Sequence, residues 1–119
     1  MSRSQIAQET LMNAVTVNGE TKYSNSRKFH QGTGSAVLII ISTAGTITVS
    51  QQCSPDDVTW YDPIDTSDGA LGVVQSSQGV TTGIYVAFTP VLTEYIRFKV
   101  VESSASSSVT LKLLYRTEV

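Results

Sequence analysis

The sequence predicts an all-β protein, an antiparallel β-sandwich or jelly roll of about eight strands with an extended N-terminal arm. Short segments alternate apolar and polar residues with period two, and no segment keeps the 3.6-residue period of a helix. Serine, threonine, valine and glycine are abundant, as strands and turns require. The three prolines fall in predicted turns or at strand ends. A chain of 119 residues is long enough to form one domain with its own core.

The first strand signals follow a polar N-terminal segment. Residues 1–10 (MSRSQIAQET) have no apolar periodicity, so we expect an arm over 1–10 and a single sandwich domain over 11–119. We expect this arm to be dispensable for folding and to dock on a neighbour. Val15 and Val17 then alternate with polar residues and lead into Asn18-Gly19, which predicts a tight hairpin turn. Arg27–Gln31 is a candidate short strand.

The strongest predicted strand is Ser35–Thr43, because its β-branched residues are apolar on both faces. Such a strand is typical of the centre of a sheet that is covered on both sides. The sequence leaves two alternatives open, since the second face can be covered within the domain or by a neighbouring subunit.

The remaining strands alternate cleanly, which predicts the inward residues. Thr46–Cys53 is one such strand, followed by Val80–Thr89, Tyr95–Glu102 and a C-terminal strand. The predicted inward residues are Ile47, Val49, Gln51 and Cys53; Ile84, Val86 and Phe88; Ile96, Phe98 and Val100; and Val109, Leu111, Leu113 and Tyr115.

The charge and hydropathy of the chain disfavour two classes of partner. The net charge is −2, and the eight Lys and Arg residues are scattered, so we expect no nucleic-acid binding. The longest apolar run, Ala36–Ile41, is too short to span a bilayer, and the first ten residues do not form a secretion signal. We therefore expect synthesis in the cytoplasm of a cell and no membrane partner.

The stretch QQCSPDDVTWYDP at residues 51–63 contains the one cysteine and the one tryptophan of the chain. A nucleophilic Cys53 would need a nearby base, and nothing in the sequence places His30, the one histidine, beside it. Structural zinc takes four Cys or His ligands, so a zinc site is disfavoured too. We expect Cys53 to be a small core residue, and we expect no catalytic residues.

The aspartates near this stretch raise the question of calcium. Their spacing differs from that of an EF-hand loop, and no bidentate glutamate follows. Aspartate beside serine, proline and glycine is also typical of turns, because its carboxylate accepts backbone N–H bonds. We therefore expect no metal and no cofactor, and treat as turn residues Asp56, Asp57, Asp62, Asp65 and Asp68.

The same stretch predicts the tip of a hairpin. Ser54-Pro55-Asp56-Asp57 would form the turn, and the return strand would carry Trp60 onto or under the sandwich. Exposed aromatic residues would instead suit sugar stacking, which makes Trp60, Tyr61 and Tyr85 the candidate glycan-binding residues.

Two resemblances follow from these residues. The spacing of Ser54, Asp56 and Trp60 is similar to the hairpin signature S-x-D-G-x-x-W of many β-sandwich modules, including discoidin-like carbohydrate-binding domains; here Asp57 stands at the glycine position. The wider pattern over residues 34–119 includes STAGTITVSQQCSPDDVTWYDP and SVTLKLLYR. This pattern resembles small virion structural proteins of tailed bacteriophages, of the capsid decoration (cement) type.

The second resemblance implies a function. Proteins of this type are β-sandwich or jelly-roll domains that sit on the shell, often as trimers or dimers. The resemblance implies a non-enzymatic virion protein, a homo-oligomer whose partner is the major capsid protein or another virion protein. A carbohydrate-binding module of a phage tail or a secreted enzyme is the alternative.

Overall fold

The computed structural model describes residues 4–29, 35–44, 46–78, 82–102 and 106–118. Within these ranges the chain forms nine strands and no helix, so no helix there could cross a membrane. The all-β prediction is confirmed. The strands are β1 (Ser4–Asn18), β2 (Thr21–Tyr23), β3 (Arg27–Lys28), β4 (Ala36–Ser42), β5 (Thr46–Ser54), β6 (Val73–Gln78), β7 (Ile84–Phe88), β8 (Tyr95–Glu102) and β9 (Ser106–Glu118).

The strands form two antiparallel sheets in jelly-roll order. Sheet A has the order β1-β9-β4-β7, and sheet B has the order β2-β8-β5-β6. The short strand β3 also pairs with β8, beyond the end of β2, so the two strands share one edge of sheet B. Ser24 lies between β2 and β3 and keeps this edge bonded, since its N–H donates to the Phe98 carbonyl and its Oγ accepts from the Phe98 N–H.

The hairpin predicted at Asn18-Gly19 is wrong. Gly19 has a φ of +57°, which explains the glycine, but the turn carries the chain from sheet A to sheet B. The strands on either side therefore do not pair with each other: β1 pairs with β9, and β2 pairs with β8. A turn signal specifies a local backbone conformation, and it does not specify which strand becomes the partner.

The N-terminal segment predicted to be an arm joins sheet A from Ser4 onward. Ser4 pairs with Glu118 and Thr10 pairs with Lys112, so the predicted boundary after residue 10 falls inside β1. The opposite neighbour of β9 is β4, whose pairing reaches only as far as Leu114. Beyond this point β1 is the partner of β9 among the described residues. Backbone hydrogen bonds do not depend on apolar side chains. The hydropathy pattern of the N-terminal segment therefore did not predict that it forms a strand.

We expect deletion of residues 1–10 to lower the free energy of unfolding by at least about 2 kcal/mol. The deletion removes the strand partner of residues 112–118, the packing of Ala7 against the core and the 3.2 Å ion pair between Glu9 and Arg27. Thermal and urea unfolding would measure the loss. As a control, Glu9→Gln removes the ion pair alone and should cost less than about 1 kcal/mol. An unchanged melting temperature after the deletion would restore the interpretation of this segment as an arm.

The core lies between the two sheets and is built from alternate residues of each strand. On β8 and β9 the residues predicted to face inward are all buried, and Phe98 and Leu111 have no exposed surface. Strand β4 buries Ala36, Leu38 and Ile40 on its inner face. The inward residues predicted for β7 are half-buried and pack against the same core.

Candidate functional site

The turn predicted after β5 is confirmed in detail. The Ser54 hydroxyl accepts the backbone N–H groups of Asp56 and Asp57 at 3.2 and 2.9 Å and donates to the Asp56 carboxylate at 3.0 Å. The same carboxylate accepts the N–H groups of Val58 and Thr59, both at 2.9 Å, and these bonds hold the pKa of Asp56 below its usual value. The chain then returns beside Cys53, which exchanges two backbone hydrogen bonds with Tyr61.

The structure explains why aspartate is tolerated at residue 57, where the hairpin signature has glycine. Asp57 has a φ of +61°, in the left-handed region that favours glycine. The signature carries glycine at this position, and aspartate is one of the few other residues that adopts the left-handed conformation with little strain.

We expect Asp57→Gly to raise the free energy of unfolding by up to about 1 kcal/mol, because glycine adopts this φ without steric cost. Asp57→Val should lower it by about 1–3 kcal/mol, since a β-branched residue is strained there. Urea unfolding of both variants would measure the difference. A more stable valine variant would contradict the left-handed turn.

Two further aspartates that were considered as calcium ligands, Asp62 and Asp65, make local hydrogen bonds. One Asp65 oxygen accepts the N–H groups of Ser67 and Gly69, each at 2.8 Å, which lowers the pKa of that carboxyl. Asp62 accepts a hydrogen bond from the Gln52 amide at 2.9 Å and lies 3.5 Å from the Lys99 ammonium. In the ranges described, no three Asp, Glu, His or Cys side chains lie together as metal ligands would.

Cys53 lies at the end of the sandwich. It was predicted to be a small core residue, but its side chain is only half-buried. On the neighbouring strand β8 it is paired with Ile96, and the Gln51 amide donates a hydrogen bond to its sulfur at 3.5 Å. Burial raises the pKa of the Cys53 thiol, which lowers the thiolate fraction at neutral pH. This shift is opposite to the one a catalytic nucleophile needs. His30 lies outside the described residues.

We expect Cys53 in the folded protein to react with thiol reagents more slowly than free cysteine does at pH 8. Its thiolate forms at higher pH, so the labelling rate should still be rising with pH where that of free cysteine has levelled off. Labelling kinetics between pH 7 and pH 10, folded and in denaturant, would measure both effects. Faster labelling of the folded protein would indicate an activated thiol.

An aromatic and polar cluster covers part of the outer face of sheet B. The Arg97 guanidinium lies 4.1 Å from the ring centre of Tyr23 and 4.4 Å from that of Trp60, so it stacks between the two. Its Nε donates to the Gln52 side chain at 2.8 Å, and Gln52 in turn donates to Asp62. The sequence did not predict this cluster. Trp60 covers the outside of sheet B and is half-buried, so it is not a core residue.

The three candidate glycan-binding aromatics do not form one platform. Tyr85 is on β7 and faces outward from sheet A, where it is 66% exposed, whereas Trp60 lies on the outer face of sheet B. Tyr61 is 57% exposed beside a shallow pocket at the end of the sandwich. Leu92, Thr93 and Glu94 line that pocket on the other side.

The outer face of sheet A is an apolar surface that the core does not use. Alternate residues of β4 face away from the core and stay half-buried, flanked by outward residues of β1, β7 and β9. Sheet B thus covers one face of β4, and no described element covers the other. We define the sheet A outer face by its apolar and basic residues, which are Ile6, Val37, Ile39, Ile41, Tyr85, Ala87, Lys112, Leu114 and Arg116; the uncharged polar residues Gln8, Thr10 and Thr110 lie among them.

Comparison with protein families and with curated proteins finds no match for this chain. Among solved structures, it is similar to the SPBc2 prophage-derived protein YomS, with a TM-score of 0.62 and 12% sequence identity over 97% of this chain and 96% of that chain. More distant structures are PirA (TM-score 0.40, 15% identity, 93% and 92% coverage) and Bacillus endospore appendages described as disulfide-linked pili (0.40, 11%, 98% and 86%). The chain has the fold of a prophage-derived protein.

Proposed function

We propose that the protein is a non-enzymatic structural protein of a phage virion, a capsid decoration (cement) protein that binds and stabilises the shell through subunit interfaces. The fold shared with a prophage-derived protein supports this proposal, as does the sequence pattern over residues 34–119. The observation that carries it is the sheet A outer face, an apolar surface on a domain whose core is complete without it.

A contiguous patch of exposed apolar side chains on a folded domain indicates a contact surface. Ile6 and Tyr85 are 73% and 66% exposed, and the half-buried β4 residues join them into one patch. Repeated over a symmetric shell, modest contacts of this kind add up to a large stabilisation. Its partners would be the major capsid protein or another virion protein and further copies of this chain, and its location would be the virion.

The candidate catalytic groups have structural roles, which favours a non-enzymatic protein. Asp56 and Asp65 accept backbone N–H groups in turns, and Asp62 pairs with Lys99. The raised pKa of Cys53 keeps the thiol protonated. A function carried out by surfaces needs none of these groups.

Sedimentation with undecorated shells tests the proposal. We expect the wild-type chain to sediment with the shells and to saturate at a fixed number of copies per shell. Ile39→Lys places a charge in the middle of the sheet A outer face and should reduce the bound amount about tenfold or more. The matched variant Thr21→Lys, at an exposed position of β2 on the other sheet, should bind as the wild type does. No binding by the wild type would overturn the proposal.

A carbohydrate-binding module is the second candidate, and one observation favours it. Tyr61 is exposed next to the shallow pocket that Pro55 and Glu94 also line, which gives an aromatic ring beside a carboxylate. Trp60 suits this function less, because Arg97 already stacks on its ring. Glycan-array binding that Tyr61→Ala removes would establish this candidate, and an array without signal would exclude it.

A further inference from the structure

We propose that the sheet A outer face binds the loop between β5 and β6 of a second copy of this chain, so that copies associate head to tail. The inference rests on the proposed function, in which copies meet through their surfaces, and it names the two surfaces. The loop, residues 55–72, is called the acidic loop below.

The sheet A outer face is apolar and positively charged. Lys112 and Arg116 project from β9 on the same side as Leu114. Within the part of the chain that the structure describes, neither cation has a carboxylate within 4.0 Å, whereas the cations Lys22, Arg27, Lys28 and Lys99 do. No acidic residue is found among the outward residues of sheet A whose side chains are described. Among the side chains that the structure describes, this face therefore carries no counter-charge.

The acidic loop has the complementary properties. It contains five aspartates and no lysine or arginine, and of these aspartates only Asp62 is paired with a cation among the described residues. The loop also exposes apolar side chains: Val58 is 79% exposed, Ile64 is 56% exposed and Leu71 is 50% exposed. An apolar surface with cations and an apolar surface with carboxylates attract each other at the rim and exclude water at the centre.

The position of the two surfaces determines the kind of association. Trp60 and Asp62 of the acidic loop contact Arg97 and Gln52, which face outward from sheet B, so the loop lies on the opposite side of the sandwich from the sheet A outer face. The contact joins two different patches and is heterologous, which gives a chain or a ring of copies. A symmetric pair of two sheet A outer faces would instead bring Lys112 and Arg116 of both copies into one interface without counter-charges.

A charge exchange between the two surfaces tests this proposal. The face variant carries Lys112→Glu and Arg116→Glu, and the loop variant carries Val58→Lys and Ile64→Lys at exposed positions. In the face variant two glutamates oppose the aspartates of the loop. In the loop variant two lysines replace the apolar contacts and lie opposite Lys112 and Arg116. Each variant alone should therefore sediment as a monomer at concentrations where the wild type associates. An equimolar mixture should associate again, although more weakly than the wild type, because the glutamates introduced on the face of one variant pair with the lysines introduced in the loop of the other.

Three controls keep this experiment decisive. Lys28→Gln removes a cation outside both surfaces and should leave association unchanged. Asp57→Asn with Asp68→Asn removes two loop charges, while asparagine still adopts the positive φ found at both positions, so the fold is kept and association should weaken about threefold to tenfold. Association of the wild type should also be roughly tenfold weaker in 0.5 M than in 0.05 M salt.

Any of three results would overturn the proposal: a wild type that stays monomeric at all concentrations, two variants that associate normally, or a mixture that fails to associate while the face variant alone is monomeric. The last result would point to a symmetric contact between sheet A outer faces. None of these results shows whether the chain is present in particles. That measurement tests the proposed function separately.

Discussion

Replacing Phe98 by alanine should lower the free energy of unfolding by about 3–5 kcal/mol. The Phe98 side chain has no exposed surface and packs edge to face on Phe88, with ring centres 6.1 Å apart. Strand β8 has β5 on one side and β2 and β3 on the other, so the backbone cannot close the cavity without breaking a sheet. Urea unfolding monitored by circular dichroism would measure the change.

Trp60→Ala is the matched comparison, and it should cost only about 1–2 kcal/mol. The sequence alone placed Trp60 on or under the sandwich, and only a fully buried ring would make its removal as costly as that of Phe98. In the structure Trp60 is half-buried on the outer face of sheet B, with Arg97 stacked on its ring. Equal costs for the two substitutions would contradict this placement.

Gln51→Leu should lower the free energy of unfolding by about 2–4 kcal/mol, although leucine is apolar and of similar size. Gln51 is 2% exposed, and its side chain bonds both backbone groups of Val91 at 2.9 Å, one as donor and one as acceptor. Leucine would leave the Val91 N–H and carbonyl without these partners, and the loop between β7 and β8 would keep only the hydrogen bonds between Thr93 and Ser54 as its attachment to β5.

The exposed Gln5→Leu serves as the control and should change stability by less than about 0.5 kcal/mol. Hydrogen exchange at the Val91 amide would localise the effect, since this amide should lose its protection in Gln51→Leu before the core strands do. A Gln51→Leu variant as stable as the wild type would show that the two hydrogen bonds to Val91 contribute nothing.

The alternation of apolar residues predicted the two-sheet core well. In β8 and β9 each predicted inward residue is buried, because a strand in the middle of a sandwich presents alternate residues to the same interior. Apolar residues on both faces of β4 correctly indicated a central strand, which lies between β9 and β7. The sequence did not determine what covers the outer face of β4. In the structure the residues on that face are half-exposed.

Strand partners were harder to predict than strands. The polar segment Ser4–Thr10 forms part of β1 because β9 supplies its hydrogen bonds, an interaction between residues about a hundred positions apart. The Asn18-Gly19 turn joins two sheets for the same reason, since partner choice is decided by the whole topology. Local sequence carries no information of this kind.

In the candidate site, too, local interactions were predictable from the sequence and long-range ones were not. The turn at Ser54 and Asp56 was predictable, because its hydrogen bonds join residues two and three positions apart. The stack of Tyr23, Arg97 and Trp60 was not, because its members meet only through the pairing of β2 with β8 and the return of the acidic loop over sheet B.

Quantitative mass spectrometry of purified particles tests most directly whether the chain is a structural component of the virion. We expect the chain to be present in particles at a constant molar ratio to the major shell protein, from one preparation to the next and after washing in moderate salt. Purified particles that lack the chain, with all of it recovered free in the lysate, would contradict the proposed function.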